Sequence, residues 1–346
     1  MYESFYGLSE LPFELTANPK YLYLSARQRE ALSVLQYGLF SAKSLTLLIG
    51  EAGTGKTTLI QAALASERCQ DVRAVYMNNP TLRPDDFVRL LAHKLDLSAT
   101  VGESKALLLE QLEVLLRERR AAGVTTALVV DEAQSLSTEM LEEIRLLANV
   151  ETPEAKLLPV VLAGQPELAE RLEEPNLRQL KQRVTLRALL EPYELGETAS
   201  FIASRVATAG GVPGRMFSLD AVTLIHELSG GVPRTISVIC DNALLGSMTL
   251  GRQRVDRASV AEVARDLRLT ARAHATPEMA PRNRPAIVPA PAARTPAEEP
   301  AAKADTDTDK DRVKDDPVEK KPEAIRLERL RSTVATSGRV GRTITE

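Results

Sequence analysis

The chain has 346 residues, 44% of them hydrophobic, and a formal net charge of −3. This balance predicts a soluble protein with room for two domains and a tail, and it excludes a general electrostatic attraction to nucleic acid or to an anionic membrane. Cys69 and Cys240 are its two cysteines, too few for a disulfide framework, which predicts a reducing, cytoplasmic compartment. The apolar runs are of strand length, and the N-terminus has no basic region followed by an apolar one. We therefore expect neither a membrane-spanning helix nor a secretory signal.

The first 191 residues alternate strand-like and helix-like segments, which predicts a parallel sheet sandwiched by helices. Short apolar runs predict the strands, and apolar residues at helical spacing predict the helices. Strands are expected at 45–49, 72–77, 126–130, 158–163 and 184–186. Helices are expected at 27–40, 85–95, 104–121 and 138–147, with one more that opens at residue 56. These 191 residues form the first predicted domain, an α/β core.

The first predicted strand leads into a glycine-rich loop with the pattern G-x-x-x-x-G-K-[ST]. Its glycines let the backbone curl until several N–H groups point inward, and the start of the next helix adds free amides and a partial positive charge. Lys56 is expected to reach the β- and γ-phosphates of a nucleoside triphosphate, and the Thr57 hydroxyl to coordinate Mg²⁺. The predicted nucleotide-binding residues are Gly50, Glu51, Ala52, Gly53, Thr54, Gly55, Lys56, Thr57 and Thr58.

Two acidic residues, Asp131 and Glu132, follow the third predicted strand. Because the carboxyl end of a parallel strand lies beside the phosphate loop, Asp131 is expected near Thr57, where it would hold the Mg²⁺ directly or through water. Glu132 is expected to orient the attacking water as a general base. Strands also often end in an aspartate before a helix, but next to a phosphate loop the catalytic role is the stronger interpretation.

Three polar residues farther along the chain are candidates for contact with the reacting phosphate. If the fourth predicted strand lies between the first and the third, Gln165 at its end would hydrogen-bond the γ-phosphate or the lytic water. Arg183 lies where a helix ends and the last strand begins, and a guanidinium there would stabilise transition-state charge, sometimes in a neighbouring subunit. Arg178 competes with Arg183 for this role.

Residues 192–269 have no predicted strand and are expected to form a small all-helical lid domain. Helices are expected at 197–209, 219–228, 233–247 and 257–267. Ser218 is a suitable N-terminal cap, and Pro233 occupies an early helical position where its missing N–H does no harm. Arg234 opens the third of these helices and is the other arginine whose guanidinium is expected to stabilise transition-state charge.

Residues 270–346 form the third predicted region, a disordered tail rich in proline, alanine and charge. Nine of the 20 prolines fall here, and no phenylalanine or tyrosine follows Phe217. Such a composition buries too little apolar area to offset the entropy of ordering. The stretch 323–331 is interpreted as a solvated charge run, with a short helix that forms on a partner as the alternative.

This set of features resembles the AAA+ ATPases. Residues 1–269 are similar, more narrowly, to the ExeA/GspA-like ATPases of bacterial secretion and surface-assembly systems. The residues that carry this resemblance are Phe5–Leu8 with Pro12 and Phe13, Tyr23–Ser25, Gly50–Thr57, Asp131–Gln134, Leu162–Leu168, Gln182–Val184 and Ser229–Arg234. The resemblance implies a nucleotide-dependent homo-oligomer in which Arg183 acts across the interface and Arg234 senses nucleotide from the lid. It also implies that Tyr21–Ser25 lie near the adenine.

The first functional hypothesis is therefore a cytoplasmic ATPase that hydrolyses ATP with Mg²⁺ to assemble or remodel a partner complex. The partners are expected among the components of a secretion or surface-polysaccharide export machinery, which would hold the protein at the periphery of the inner membrane. Two alternatives stay open. One is a DNA-associated ATPase of the transposition-helper type, and the other is a nucleotide-gated switch with negligible turnover.

Overall fold

The computed structural model describes residues 1–16, 18–78, 83–153 and 155–269. The predicted tail at 270–346, with its alternative helix at 323–331, lies outside the described residues. Within the described ranges, no helix has both the length and the apolar character needed to cross a bilayer.

One parallel sheet of five strands forms the centre of the structure. The strands are β1 Leu45–Gly50, β2 Val72–Met77, β3 Thr125–Val130, β4 Val160–Gly164 and β5 Val184–Leu190. Their order across the sheet is β2-β3-β4-β1-β5, so β4 lies between β1 and β3, as the hypothesis for Gln165 requires. β5 continues four residues beyond the predicted end at Leu186 because it pairs with β1 up to Gly50.

Helices cover both faces of the sheet. Those of the first 191 residues are α1 Tyr2–Tyr6, α2 Ala26–Phe40, α3 Lys56–Leu64, α4 Pro84–Lys94, α5 Lys105–Ala121, α6 Thr138–Leu147, α7 Pro166–Arg171 and α8 Arg178–Arg183. Side chains of β1 alternate between two apolar clusters: Leu47 packs in the cluster that contains residues of α4, α5 and α6, and Leu48 in the cluster that contains residues of α2 and α3. The sheet is therefore buried on both faces, as expected for parallel strands.

The helical part that follows the sheet contains α9 Leu195–Thr208, α10 Pro213–Met216, α11 Leu219–Ser229, α12 Pro233–Thr249 and α13 Arg257–Asp266. The predicted fold class, a helix-covered parallel sheet followed by an all-helical part, is confirmed for the described residues. Ser218 caps α11 as predicted, since its hydroxyl accepts a hydrogen bond from the Ala221 N–H.

The N-terminal segment packs with the helical part. Tyr2, Leu8 and Phe13 belong to the same apolar cluster as side chains of α9, α11 and α12, and the Tyr6 hydroxyl donates to the Leu244 carbonyl at 3.1 Å. The segment then runs from the helical part towards the sheet. The predicted domain boundary at Glu191 stays a prediction.

Gly231 holds the start of α12 against the end of the sheet. Its backbone has a φ of +75°, its carbonyl accepts the Tyr193 N–H at 2.8 Å, and a Cβ on it would overlap the Tyr193 carbonyl oxygen. We expect Gly231→Ala to lower the free energy of unfolding by about 2–3 kcal/mol, because the backbone must both strain and move. Thermal or denaturant unfolding tests this. The matched control is Gly246→Ala, at an open, exposed site within α12, which should be neutral or stabilising by up to about 1 kcal/mol. Equal effects of the two substitutions would contradict this account.

Candidate functional site

A cavity of about 350 Å³ opens beside the carboxyl end of β1. Four parts of the chain line it: the glycine-rich loop with the start of α3, the N-terminal segment, the residue Glu132 after β3, and residues that follow the sheet. The lining includes Gly53–Thr58, Glu132, Leu15, Tyr21–Tyr23, Tyr193, Phe201, Arg205 and Arg234. A cavity of this size matches a small-molecule site.

The glycine-rich loop forms a concave backbone surface at one end of this cavity. Gly53 and Gly55 have φ values of +83° and +97°, which turn successive N–H groups inward, and α3 begins immediately afterwards at Lys56. The buried Thr54 hydroxyl donates to the Glu51 carbonyl at 2.8 Å. A side chain at Gly50 would come within 2.7 Å of that hydroxyl, so glycine is required here for packing. Backbone amides at a helix start suit a phosphate group.

Two backbone carbonyls of the glycine-rich loop hold the side chain of Lys56. Its ammonium donates to the Gly50 carbonyl at 2.8 Å and to the Glu51 carbonyl at 3.1 Å, and 5% of the residue is exposed. Burial lowers the pKa of this ammonium, and the negative charges of Glu132 and Asp131 oppose that effect. A phosphate oxygen at this point would replace neutral acceptors with charged ones, which an ammonium prefers.

Asp131 lies beside Thr57, as its place after β3 predicts. The Thr57 hydroxyl donates to Asp131 Oδ2 at 2.6 Å, the Glu132 N–H donates to Asp131 Oδ1 at 2.9 Å, and the aspartate is 5% exposed. A hydroxyl and a carboxylate are the hard oxygen ligands that Mg²⁺ prefers. No group of three or more His, Cys, Asp or Glu side chains fit to hold a metal occurs in the described part of the chain. The residues therefore fit an ion that takes its other ligands from phosphate and water, as Mg²⁺ does.

Tyr76 is a third partner of Asp131, and no sequence pattern predicted it. Its hydroxyl donates to Asp131 Oδ2 at 3.0 Å, and burial and then the charge of Asp131 raise the pKa of the phenol. β2 pairs with β3 so that Tyr76 lies opposite Val129, two residues before Asp131. The side chains of Tyr76 and Asp131 therefore meet at the carboxyl ends of the two strands. Only the strand order reveals this proximity.

Glu132 faces the cavity from an uncommon backbone conformation. Its φ of 53° lies in the left-handed region, and its side chain is exposed. The Gln134 side-chain N–H donates to Glu132 Oε2 at 2.6 Å, and the Gln134 side-chain oxygen Oε1 accepts the Gln165 backbone N–H at 3.1 Å. Gln165 is thus close to Glu132 through Gln134, although it does not itself line the cavity within the described chain.

The predicted arginines lie in different places. Arg234 lines the cavity from the start of α12, and its backbone N–H donates to the Gly53 carbonyl at 3.2 Å. Arg183 ends α8 and Arg178 begins it, and neither is among the described residues that line the cavity. The Lys156 ammonium lowers the pKa of the exposed Glu151 carboxyl, and the charge of Arg183 adds to this effect. The structure therefore brings Arg234, but not Arg183 or Arg178, to the phosphate loop of the same chain.

The other end of the cavity is aromatic. The rings of Tyr23 and Tyr193 are 5.5 Å apart, and the Arg205 guanidinium lies 5.0 Å from the Phe201 ring and 5.3 Å from the Tyr21 ring. Tyr21–Tyr23 line this end of the cavity. The proximity of Tyr21–Ser25 to adenine, which the resemblance implied, stays a prediction. Tyr193, Phe201 and Arg205 were not predicted, because their approach depends on the packing of the helical part. Flat rings and a guanidinium suit a planar heterocyclic base.

Two sequence comparisons match this chain to known proteins. A family model described as an AAA domain matches residues 40–172. General secretion pathway protein A of Aeromonas hydrophila is 40% identical over 264 residues, which cover 76% of this chain and 48% of that protein. This chain thus spans about half the length of that relative.

Solved structures show the same fold at low sequence identity. The Drosophila ORC bound to DNA matches with a TM-score of 0.57 and 21% identity over 75% of this chain and 65% of the other. The ORC2 protein of Aeropyrum pernix, in its ADPNP–ADP complexes, matches with a TM-score of 0.56 and 17% identity over 75% and 72% of the two chains. At these identities the likeness concerns the fold alone.

Proposed function

Because this chain belongs to the ExeA/GspA-like family of AAA-type ATPases, we propose that it binds ATP with Mg²⁺ in the cavity beside β1 and hydrolyses the γ-phosphate. The observation that carries the proposal is the 2.6 Å hydrogen bond from Thr57 in the phosphate loop to Asp131 at the end of β3. This bond supports the proposal because it brings the phosphate loop to the residue that would hold Mg²⁺ with Thr57, and Glu132 follows Asp131 directly in the sequence.

Each of the gathered residues has a distinct role in this proposal. The loop amides and Lys56 hold the β- and γ-phosphates, and Thr57 with Asp131 hold Mg²⁺, which neutralises charge on the phosphates when bound. Glu132 orients the attacking water and accepts its proton. Gln165 hydrogen-bonds the γ-phosphate or that water.

Arginines act on the same nucleotide from two sides. Arg234 senses the bound nucleotide from the helical part. The hydrogen bond from its backbone N–H to the Gly53 carbonyl supports this role, because it places Arg234 beside the phosphate loop. Arg183 acts on the nucleotide of a neighbouring copy in a homo-oligomer, with Arg178 as the competing candidate. Their location away from the cavity of their own chain supports action across an interface.

The work done with ATP is proposed to be the assembly or remodelling of a partner complex. The relative of 40% identity is a general secretion pathway protein, which supports partners in secretion or surface-polysaccharide export. The protein would then act in the cytoplasm, held at the inner membrane through those partners.

ATP turnover of the purified chain tests this proposal against its alternatives. We expect Mg²⁺-dependent release of phosphate that double-stranded DNA does not stimulate. DNA stimulation with a steep loss at higher salt would favour the transposition-helper alternative. ATP binding without turnover would favour the nucleotide switch. Capture of partners by the Glu132→Gln form then tests the pathway.

Tyr76 supplies a further prediction. Tyr76→Phe should raise the Mg²⁺ concentration needed for half-maximal turnover about fivefold, because one of the hydrogen bonds that orient Asp131 is lost. A Mg²⁺ titration at saturating ATP measures this. Tyr37→Phe makes the same change on the exposed face of α2 and should leave the Mg²⁺ requirement unaltered. An unchanged midpoint in Tyr76→Phe would show that its hydroxyl does not orient Asp131.

A further inference from the structure

Gln134 connects two residues of the proposed catalytic machinery. Its side-chain N–H donates to Glu132 Oε2 at 2.6 Å, and its side-chain carbonyl accepts the Gln165 backbone N–H at 3.1 Å. The carboxylate can only accept and the backbone amide can only donate, so both partners select the same orientation of the Gln134 amide. A single rigid group thus spans from the end of β4 to Glu132.

The surroundings of Gln134 leave its backbone and its side-chain carbonyl little freedom. The Arg171 guanidinium donates to the Gln134 backbone carbonyl at 2.8 Å and to the Leu136 carbonyl at 2.7 Å, which fixes the loop after β3. A Cβ on Gly164 would lie 3.1 Å from the Gln134 side-chain oxygen, so glycine allows the close approach of β4. Arg171, in the helix after β4, thus anchors the backbone at Gln134, and Gly164 at the end of β4 leaves room for the Gln134 side-chain oxygen.

Glu132 needs such a support. Its side chain is exposed, and its left-handed backbone conformation sets the starting direction of the side chain but not its rotamers. A general base must be held close to one geometry to orient a water molecule. Among the described residues, the side chain of Gln134 donates a hydrogen bond to the Glu132 carboxylate.

We propose that Gln134 is a positioning residue that holds the Glu132 carboxylate in its catalytic orientation and ties it to the end of β4. This rests on the proposed role of Glu132 in ATP hydrolysis. A shift of β4 at Gln165 would then move the base and the proposed phosphate contact together. The prediction is specific to the chemical step: loss of the Gln134 N–H should lower kcat and spare ATP binding.

Gln134→Glu and Gln134→Ala test the proposal. The glutamate keeps the size of the side chain and an oxygen that accepts the Gln165 N–H, but it replaces the donor to Glu132 with a second carboxylate oxygen. The alanine removes both contacts. The matched control is Gln70→Glu, the same change at an exposed position before β2. Gln70 lies near the amino ends of the strands, whereas the proposed site lies at their carboxyl ends. For each form we would measure kcat, the dissociation constant of ATP and the midpoint of thermal unfolding.

We expect kcat to fall at least about tenfold in both Gln134 variants, more in the glutamate, with ATP affinity within about twofold of the unaltered chain. Gln70→Glu should match the unaltered chain in all three measurements. An unchanged or increased kcat in Gln134→Glu would overturn the proposal, as would a loss of ATP affinity in proportion to the loss of turnover. An unaltered chain that hydrolyses no ATP would overturn the proposed function as well, whereas an active chain with an equally active Gln134→Glu form would overturn the role of Gln134 alone.

Discussion

Replacement of Glu132 by glutamine should lower ATP turnover by about 10²- to 10⁴-fold, the range that a lost general base usually costs, while ATP binding persists. The amide has the size of the carboxylate and retains an oxygen that accepts the bond from Gln134, so the site should keep its shape. It cannot accept a proton from water. The variant should therefore accumulate in its ATP-bound form.

Parallel measurements of phosphate release and nucleotide binding test this expectation. Glu110→Gln, on the exposed side of α5, removes the same charge elsewhere and should hydrolyse ATP at the normal rate. Normal turnover in Glu132→Gln would remove Glu132 as the base. Loss of ATP binding in that variant would instead assign Glu132 to the binding of nucleotide.

Replacement of Lys56 by alanine should weaken ATP binding at least about 100-fold. The ammonium is buried at the phosphate loop, and a charged hydrogen bond to phosphate in such a site contributes about 1.5–3 kcal/mol before the lost charge attraction is added. Equilibrium binding of a fluorescent ATP analogue measures the change. Lys94→Ala, at the exposed end of α4, is the control and should bind ATP normally.

The unfolding midpoint of Lys56→Ala must be measured beside its affinity. The substitution removes the donor to the Gly50 and Glu51 carbonyls, so some loss of stability is expected. A folded Lys56→Ala form that still binds ATP tightly would contradict the role assigned to this residue.

Local sequence patterns predicted the sheet well, since the three central strands β1, β3 and β4 are short apolar runs buried on both faces. The end of β5 was missed, because Arg187 interrupts its apolar run. β5 lies at the edge of the sheet and exposes alternate residues, so it accommodates the arginine, and pairing with β1 extends the strand to Leu190. The helices α1, α7 and α10 are too short to show a helical period and were not predicted.

The phosphate end of the site was more predictable than the rest. Asp131 lies beside Thr57 because the carboxyl ends of parallel strands point the same way, which brings the end of β3 near the loop after β1 although β4 lies between them. Tyr76 and the bridging role of Gln134 depend on strand order and side-chain orientation, which no local pattern carries. The aromatic end depends on contacts such as that of Tyr21 with Arg205, which are separated by most of the folded chain.

A crystal structure with a non-hydrolysable ATP analogue and Mg²⁺ would show whether ATP binds in this cavity. We expect the triphosphate in the glycine-rich loop, its γ-phosphate between Lys56 and Glu132, and Mg²⁺ about 2.0–2.1 Å from the Thr57 hydroxyl oxygen with Asp131 bound directly or through water. A nucleotide bound outside this cavity, or a Mg²⁺ ion that contacts neither Thr57 nor Asp131, would contradict this expectation.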